Sequence, residues 1–408
     1  MTKTTRAVTS PIEQPFHKHF VAIYGEERWW KALYPALAEP TRYAAVVNRY
    51  ATPSDTWKAT HGPPLPPSTE GLDTGALKDN KAFHAMPFPS LSDASDPEHH
   101  LQCFTRPLAP SGLSNDATVS VSTSTDFPQP TVVSSLNGRL TSHWNLDGAS
   151  ALVAHLLEVR SGDGLLDLCA APGGKSITLA QNIWPSLHID TLVASAARHG
   201  RLVSNEVDGR RHKRLAENLK AYLPADLLKT GRITTTSIDA TQSGPPLNAL
   251  MSGGDFNKVL VDAPCSSERH IIHASTKTPS GKTAPEMSSW RAGTSKRLAK
   301  TQVDLLMTAL RAVKVGGQVM YATCSLEPME NDGVVEKMLQ LVEKEGKKGA
   351  KWSVKLDFVD GDMDAGLREQ LRLWAEPTKF GWIVLPDHPG GGRWGPLFFC
   401  RITKVPRP

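Results

Sequence analysis

The stretch Leu165-Leu-Asp-Leu-Cys169 runs directly into the turn Ala170-Ala-Pro-Gly-Gly-Lys175. The short apolar run has the character of a strand buried on both faces of a sheet. The glycines of the turn let the backbone come close to a ligand, and the helix predicted after the turn offers free N–H groups. The turn matches neither the G-x-G-x-x-G pattern nor the P-loop. It predicts the first strand of an open α/β sheet, with a ligand site at its edge.

Strands and helices are predicted to alternate on both sides of this turn. The predicted strands are Val203–Glu206, Ile233–Ser237, Lys258–Asp262 and Gln318–Ala322, and the predicted helices are Ala151–Val159, Arg210–Tyr222, Leu298–Val313 and Glu330–Val342. Such alternation predicts a doubly wound, mainly parallel sheet with helices on both faces. Two β-rich runs between Trp382 and Val405 predict an antiparallel C-terminal edge.

Three acidic residues fall where ligands bind in such a sheet, off the carboxyl ends of the strands. Glu206 ends the second predicted strand, Asp239 follows the third and Asp262 ends the fourth. An acid after the second strand can accept hydrogen bonds from ribose hydroxyls, and one after the third can reach an adenine amino group. Each acid alone is often a helix N-cap. The ordered set with the Pro-Gly-Gly turn favours S-adenosylmethionine over NAD or ATP.

Two of the five cysteines lie on the same predicted rim. Cys265 follows one strand in Asp262-Ala-Pro-Cys-Ser266, and Cys324 follows another in Thr323-Cys-Ser325. The chain has no C-x-x-C pair, so we expect reduced thiols in a reducing compartment. Cys169 and Cys400 are expected to pack in the core, where cysteine is usually inert.

Thiols on this rim suit one difficult reaction, the methylation of carbon 5 of cytosine. A thiolate that adds to carbon 6 makes carbon 5 nucleophilic, which divides one hard step into easier ones. Asp262 would act near ring nitrogen 3, and a second thiol would remove the proton from carbon 5. Lys175 would help hold a thiolate or carboxylate in place, since a nearby cation lowers a thiol pKa.

Three motifs together resemble the Nop/Sun family of RNA cytosine-5 methyltransferases. They are Cys169-Ala-Ala-Pro-Gly-Gly-Lys175, Asp262-Ala-Pro-Cys-Ser266 and Tyr321-Ala-Thr-Cys-Ser325, in the family's order and at its separations. The resemblance covers the chain from about Trp144 to the C-terminus, where Trp394–Cys400 is similar to the family's final hairpin. It implies a Rossmann-like, class I S-adenosylmethionine-dependent methyltransferase fold.

The resemblance also implies a role for each motif residue. Cys324 would be the nucleophile and Cys265 would assist product release. Glu206 stands where the family more commonly has aspartate. The positions that match the family's S-adenosylmethionine contacts are Cys169, Ala170, Ala171, Pro172, Gly173, Gly174, Lys175, Glu206, Arg211, Asp239 and Asp262.

The chain upstream of the methyltransferase domain, which we predict over residues 140–408, has two parts. Residues 1–50 are predicted to be a small N-terminal helical segment, helical from residue 16, with a possible short targeting peptide at 1–12. Residues 51–135 are rich in Pro, Ser and Thr and predict a poorly ordered linker. The head of the chain, notably Tyr43–Asn48, resembles the mitochondrial branch of the family. A Ser/Thr/Lys-rich loop is predicted at Ala274–Gly293, close to the active site.

Charge and hydropathy constrain the partners. The formal net charge of +5 permits RNA binding without arguing for it. The densest basic cluster, Arg210–Arg214, is mostly a solvated helix face. No run is long and apolar enough for a membrane span, so we expect a soluble protein. We expect an RNA substrate (rRNA before tRNA), a protein partner that assists RNA binding, no membrane and no DNA. The expected location is mitochondrial, with nuclear or cytoplasmic alternatives.

Rival interpretations differ in which residues they need. A DNA cytosine-5 methyltransferase would use Cys265 as its nucleophile and would have no need of Cys324. An adenine-N6 enzyme would want an aromatic residue where Cys265 stands. A catalytically idle RNA-binding or ribosome-assembly factor would have no reason to keep both cysteines, Asp262 and Lys175. No metal is predicted, because His99-His100 and Cys103 have no partner pair at metal-ligand spacing.

Overall fold

The structure is a computed structural model, and it describes residues 11–52, 84–91, 101–105, 127, 129–135, 138–185, 199–252, 256–279 and 282–407. These residues form two compact units. The first unit comprises the described parts of Met1–Thr41, Leu165–Cys169 and Ser237–Pro408, and the second those of Arg42–Gly164 and Ala170–Thr236.

The described strands are, in chain order, β1 Ala44–Val47, β2 His84–Ala85, β3 Cys103–Thr105, β4 Val132–Ser135, β5 Gly138–Thr141, β6 His143–Leu146, β7 Gly164–Asp167, β8 Arg201–Asn205, β9 Ile233–Thr236, β10 Phe256–Asp262, β11 Val313–Thr323, β12 Trp352–Leu356, β13 Glu376–Pro377, β14 Trp382–Val384 and β15 Leu397–Pro406.

The described α-helices are α1 Gln14–Tyr24, α2 Glu26–Arg28, α3 Tyr34–Ala38, α4 Gly148–Leu156, α5 Gly174–Ile183, α6 Gly209–Tyr222, α7 Ala225–Lys229, α8 Pro245–Ser252, α9 Glu268–Lys277, α10 Pro285–Ser289, α11 Thr294–Ala312, α12 Asp332–Lys347 and α13 Ala365–Leu371. A π-helical segment, Trp29–Leu33, joins α2 to α3.

In the first unit, neighbouring strands are hydrogen-bonded in the order β13-β14-β15-β11-β10-β7. β12 pairs with the C-terminal half of β15. β7, β10 and β11 are parallel, whereas β15 runs antiparallel to β11. Val261 is paired with Tyr321 and Asp262 with Ala322, so β10 and β11 end side by side. This register brings the Pro-Cys and Thr-Cys motifs, which leave these two strands, to one edge of the sheet.

The N-terminal helices of the first unit bury an aromatic cluster. Phe16, Phe20 and Trp29 are fully buried, and the rings of Phe20 and Trp29 stack with centroids 5.2 Å apart. Trp290 meets Phe16 edge-on at 5.2 Å. Large aromatic side chains contribute most of the apolar area that such a small helical segment can bury.

The second unit holds the parallel pair β8 and β9, the antiparallel sheet β2-β3-β1-β6 and the hairpin β4–β5. Asn48 ties this unit together, because its side-chain amide donates to the carbonyls of Thr141 and Tyr222, at 2.8 Å each. Tyr50 donates its hydroxyl to the carbonyl of Ala180 in α5 at 2.9 Å.

The predicted fold class is confirmed, since parallel strands alternate with helices and the C-terminal strands are antiparallel. Each predicted strand and helix from residue 151 onward has an observed counterpart within a few residues. Two predictions are wrong. The predicted helix over residues 16–50 ends at Ala38, and Ala44–Val47 is a strand whose apolar residues pair with β3 and β6. The predicted loop at Ala274–Gly293 contains the end of α9 and all of α10.

The predicted targeting peptide and linker fall mostly outside the described residues and stay predictions. The described pieces of residues 51–135 contribute β2, β3 and β4. Among the described helices, none combines the length and apolarity that a membrane crossing requires.

Candidate active site

Cys265 and Cys324 face each other across the ends of β10 and β11. Their sulfur atoms lie 3.0 Å apart and both thiols are free. A disulfide bond would be about 2.05 Å long, so the two sulfur atoms are not bonded to each other and lie within hydrogen-bond distance. Both residues are half-buried, which leaves them reachable from solvent. The structure thus brings together the two cysteines that the sequence singled out.

Hydrogen bonding makes the two thiols unequal. The Cys265 thiol and the Ser267 hydroxyl, 3.2 Å from the Cys324 sulfur, lower the pKa of Cys324, against the effect of burial. The hydrogen bond with Cys324, then burial, and then the charge of Cys324 raise the pKa of Cys265 well above its usual range. Hydrogen bonds to the charged form favour that form. The arrangement therefore favours a Cys324 thiolate that accepts a hydrogen bond from a protonated Cys265.

Asp262 belongs to the same edge, because it closes β10 opposite Ala322 in β11. Its carboxylate lies close enough to raise the pKa of Cys324, which opposes the effect of the two hydrogen-bond donors. The side chain is half-buried. Asp262 is thus placed beside the nucleophile that the sequence predicts.

Two buried glutamates cross-link the cysteine loops in opposite directions. Glu268 follows Cys265 and accepts a 2.8 Å hydrogen bond from the backbone N–H of Leu326. Glu330 follows Cys324 and accepts a 3.1 Å hydrogen bond from the backbone N–H of Ser266. Both glutamates are fully buried. We call this pair the carboxyl cross-links, since each fixes the loop of the other cysteine.

Further hydrogen bonds support the carboxyl cross-links. Gln302 in α11 donates from its side-chain amide to Glu330 at 2.8 Å and to the carbonyl of Pro264 at 2.9 Å. The hydroxyls of Ser266 and Ser325 lie 2.8 Å apart, so the loops also contact directly. The network is only partly paired, because one side-chain oxygen each of Glu268, Gln302 and Glu330 has no hydrogen-bond partner among the described residues.

The N-terminal helix α1 reaches the loop that follows Cys324. Tyr24 donates its hydroxyl to the carbonyl of Leu326 at 2.8 Å, and His19 lies 2.7 Å from the carboxyl of Glu327. Burial, and then the charge of Glu330, raise the pKa of Glu327 to about 7, while burial lowers the pKa of His19. Both shifts favour neutral forms, so this contact is mainly a hydrogen bond at neutral pH.

In the second unit, the Pro-Gly-Gly turn is joined to Glu206 through Arg211. One Arg211 nitrogen donates to the carbonyl of Ala171 at 2.9 Å and lies 3.3 Å from Glu206 Oε2. Glu206 is only 3 % exposed, and its Oε1 accepts from the backbone N–H of Asp208 at 3.0 Å. Its Oε2 has no hydrogen-bond partner among the described residues. A buried acceptor with spare capacity fits a ribose hydroxyl.

The two glycines of the turn are needed for different physical reasons. Gly173 adopts a left-handed φ of +116°, a region open to glycine at low cost. A Cβ on Gly174 would lie 2.6 Å from the indole nitrogen of Trp144. Gly174 therefore permits close packing at the start of α5, where the sequence suggested only an approach to a ligand. Val207, the residue after Glu206 in the chain, is 60 % exposed.

Asp239, in the first unit, is engaged by its own turn. Its carboxylate accepts from the hydroxyl of Thr241 at 2.6 Å and from the side chain of Gln242 at 2.8 Å. The Thr241 hydroxyl is the largest cause that lowers the Asp239 pKa. A role toward adenine stays a prediction.

The structure brings the predicted residues together in two sets, each within one unit. Cys265, Cys324 and Asp262 form the first set, and Ala171, Glu206 and Arg211 form the second. Cys169 lies two residues after the end of β7 and Lys175 lies in the first turn of α5, and both are half-buried. Sequence reasoning missed Ser267, Glu268 and Glu330. The sequence did offer a signal for the two glutamates, because each follows a predicted catalytic cysteine within six residues. A buried acid needs hydrogen-bond partners, so an acid so close to the site could have been expected to bind the neighbouring loop.

No cluster of three potential metal ligands occurs within the described residues. His99, His100 and Cys103 are potential metal ligands in the sequence. His99 and His100 lie outside the described residues, and Cys103 is buried in β3, where burial raises its pKa.

Parallel strands with a Pro-Gly-Gly turn, an acid after β8 and paired thiols at the sheet edge define a class I S-adenosylmethionine-dependent methyltransferase. The family model described as 16S rRNA methyltransferase RsmB/F matches residues 154–373. The chain therefore belongs to this Nop/Sun-type family of RNA cytosine-5 methyltransferases, and its cofactor is S-adenosylmethionine.

Individual relatives agree with this assignment. The Bos taurus protein named 5-cytosine rRNA methyltransferase NSUN4 is 27 % identical over 92 % of this chain and 84 % of its own. The Danio rerio mitochondrial tRNA (cytosine(34)-C(5))-methyltransferase is 28 % identical over 95 % of this chain and 87 % of its own. The structure of NSun6 from Pyrococcus horikoshii with SFG has a TM-score of 0.53 at 16 % identity, covering 95 % of this chain and 97 % of that one. It supports the fold.

Proposed function

We propose that this protein methylates carbon 5 of a cytosine in RNA through a covalent bond between Cys324 and carbon 6 of the base. The observation that carries the proposal is the 3.0 Å contact between the sulfur atoms of Cys265 and Cys324. Of the two thiols, Cys324 has the lowered pKa. Cys324 lies in the Thr-Cys-Ser motif, whose cysteine is the nucleophile that the family resemblance implies, and a lowered pKa agrees with that role because the thiolate is the nucleophilic form.

The reaction starts with the Cys324 thiolate. Its sulfur bonds to carbon 6, the ring loses aromaticity, and carbon 5 becomes the nucleophile. S-adenosylmethionine, when bound, supplies the methyl group to carbon 5. Asp262, beside Cys324, acts near ring nitrogen 3, where charge develops. Lys175 is proposed as the cation that holds the reacting carboxylate or thiolate in place.

Cys265 acts in the release step. While Cys324 is anionic, its charge raises the pKa of Cys265 and keeps that thiol protonated. Once the Cys324 sulfur is bonded to carbon, the charge is gone, and Cys265 gives its proton to solvent. The Cys265 thiolate then takes the proton from carbon 5, the sulfur–carbon bond breaks, and the Cys324 thiolate leaves. The pair returns to its starting state with one proton released per methyl transferred.

The cofactor would be held by residues at the strand ends. Glu206 would accept from ribose through its spare oxygen, with Val207 as an apolar neighbour. Arg211 would hold the turn Ala170–Gly174 in position through the carbonyl of Ala171. We also propose contacts from Cys169, Lys175, Asp239 and Asp262.

The substrate is proposed to be rRNA, with tRNA second, in mitochondria. Support comes from relatives whose names state 5-cytosine rRNA methyltransferase and mitochondrial tRNA methyltransferase. A protein partner that supplies RNA contacts is part of the proposal. The target base must be extruded from any stack, because the thiol attacks its ring face.

Bisulfite sequencing of total RNA with and without the gene tests the proposal. We expect one cytosine in rRNA to become sensitive to bisulfite conversion when the gene is removed. Its resistance to conversion should return with the wild-type chain but not with Cys324→Ala. Loss of protection only in tRNA would move the substrate to tRNA. Unchanged protection everywhere would favour an idle RNA-binding or assembly factor with the same fold.

A further inference from the structure

We infer that Ser267 is a third catalytic residue, whose hydroxyl donates first to the Cys324 thiolate and then to the Cys265 sulfur. The inference rests on the proposed function, because it takes Cys324 as the nucleophile. Ser267 Oγ lies 3.2 Å from the Cys324 sulfur and 3.4 Å from the Cys265 sulfur. One hydroxyl is therefore within reach of both reacting sulfur atoms.

The backbone of Ser267 is held in an unusual conformation. Its φ and ψ are 53° and 56°, in the left-handed region. Among the described residues, only Glu158 and Arg393 are also non-glycine residues with positive φ. A non-glycine residue in this region costs of order 1 kcal/mol or more, and such residues cluster at functional sites. Glycine would fit this backbone more easily, so a change of Ser267 to glycine removes the hydroxyl without adding backbone strain.

The hydroxyl also forgoes its ordinary local role. Ser267 is the N-cap residue of α9, where a serine side chain usually accepts a hydrogen bond from a backbone N–H of the first turn. Here the side chain makes no such cap. The hydroxyl can also donate to the carbonyl of Cys265, but at 3.4 Å this contact is long for an O–H···O hydrogen bond and competes weakly with the 3.2 Å contact to the Cys324 sulfur. The left-handed backbone turns the hydroxyl away from the helix and toward the thiols.

The hydroxyl keeps its proton throughout the reaction and only changes acceptor. Before attack it donates to the anionic Cys324 sulfur, which favours the thiolate. After attack that sulfur is bonded to carbon and is a poor acceptor, and the anion forms at Cys265. The hydroxyl then donates across the longer distance to Cys265 and supports the form that removes the proton from carbon 5.

The variant Ser267→Gly tests the inference, because glycine relieves the left-handed strain while it removes the hydroxyl. The measurement is the pH dependence of Cys324 alkylation by iodoacetamide, followed by mass spectrometry on the full-length protein without RNA. We expect the apparent pKa of Cys324 to rise by about one unit in Ser267→Gly, and Ser267→Thr to restore most of the shift. An unchanged alkylation profile in Ser267→Gly would overturn the inference.

The matched control is Glu158→Gly, which converts another left-handed residue to glycine outside the cysteine loops. We expect its alkylation profile to equal that of the wild type, and a shift as large as in Ser267→Gly would also overturn the inference. The readout separates this inference from the proposed function. If Cys324→Ala still methylates RNA, the proposed function fails, whatever Ser267 does to the alkylation profile.

Discussion

At the scale of single residues, Cys265 and Cys324 carry the same functional group but differ in their surroundings. The Ser267 hydroxyl oxygen lies 3.2 Å from the Cys324 sulfur and 3.4 Å from the Cys265 sulfur, so it is closer to Cys324. Their 3.0 Å contact also couples the charge of one sulfur to the pKa of the other. Under the proposed mechanism, this coupling would let one pair supply a nucleophile and, later, a base without a further titratable group.

Glu206 carries the clearest prediction for the cofactor. Glu206→Gln keeps the size of the side chain but removes its charge, so we expect about tenfold weaker S-adenosylmethionine binding, the scale of one charge-assisted hydrogen bond. RNA affinity should not change. Isothermal titration calorimetry with the cofactor measures the effect. The control is Glu217→Gln, an exposed glutamate of α6, which should bind as the wild type does. Equal cofactor affinity in Glu206→Gln would contradict the proposed contact.

At the scale of elements, the carboxyl cross-links hold the ends of β10 and β11 in one geometry. Glu330→Gln replaces with an amide the carboxyl acceptor that Ser266 and Gln302 share, so we expect a loss of about 1–3 kcal/mol in the free energy of unfolding. The methylation rate should fall with it, because the Cys265 loop loses its anchor. Urea unfolding and initial rates measure the two effects.

The matched control for Glu330→Gln lies on α12. Glu336 is exposed and pairs with Lys379 at the surface, so Glu336→Gln should change stability by less than about 1 kcal/mol. If the two variants behave alike, the carboxyl cross-links do not hold the loops.

The N-terminal helical segment and the loop before α11 are also coupled, through Trp290. Its ring contacts Phe16 at 5.2 Å and His19 at 5.3 Å. We expect Trp290→Ala to cost about 2 kcal/mol in the free energy of unfolding, since a half-buried aromatic ring is lost. Chemical denaturation measures this, with Leu373→Ala at a 68 % exposed position as the control. A cost no larger than that of the control would mean that Trp290 does not join the two elements.

At the scale of the whole molecule, Glu268 links folding stability to pH. Burial raises its pKa to about 7 in the folded protein, against about 4.3 when unfolded. The folded state then binds more protons between these values, so stability falls as pH rises through this window and levels off above it. Glu268→Gln removes the titration. We therefore expect the free energy of unfolding of Glu268→Gln, measured relative to that of the wild type, to rise by on the order of 3 kcal/mol from pH 4.5 to pH 8.

Thermal or urea unfolding across this range tests the sign. A stability difference between the two proteins that does not depend on pH would contradict the raised pKa of Glu268.

The fold could be predicted from the sequence because the residues that specify each strand, turn and helix are adjacent in the chain. The run Leu165–Cys169 and the Pro-Gly-Gly turn specify a buried strand and its ligand edge from adjacent residues. The carboxyl cross-links were not predictable, because Glu268 and Leu326 are 58 residues apart in sequence and meet only through the register of β10 and β11. The helix prediction failed at Ala44–Val47, where pairing with β3 and β6 overrides the apolar periodicity.

A denaturing gel with labelled RNA tests the central claim, that Cys324 forms the bond to the base and Cys265 releases it. Full-length variants are incubated with unmodified rRNA transcript and S-adenosylmethionine. We predict a slow-migrating protein–RNA adduct with Cys265→Ala, no adduct with Cys324→Ala, and none with the double variant. An adduct with Cys324→Ala and none with Cys265→Ala would contradict the account and reverse the two roles.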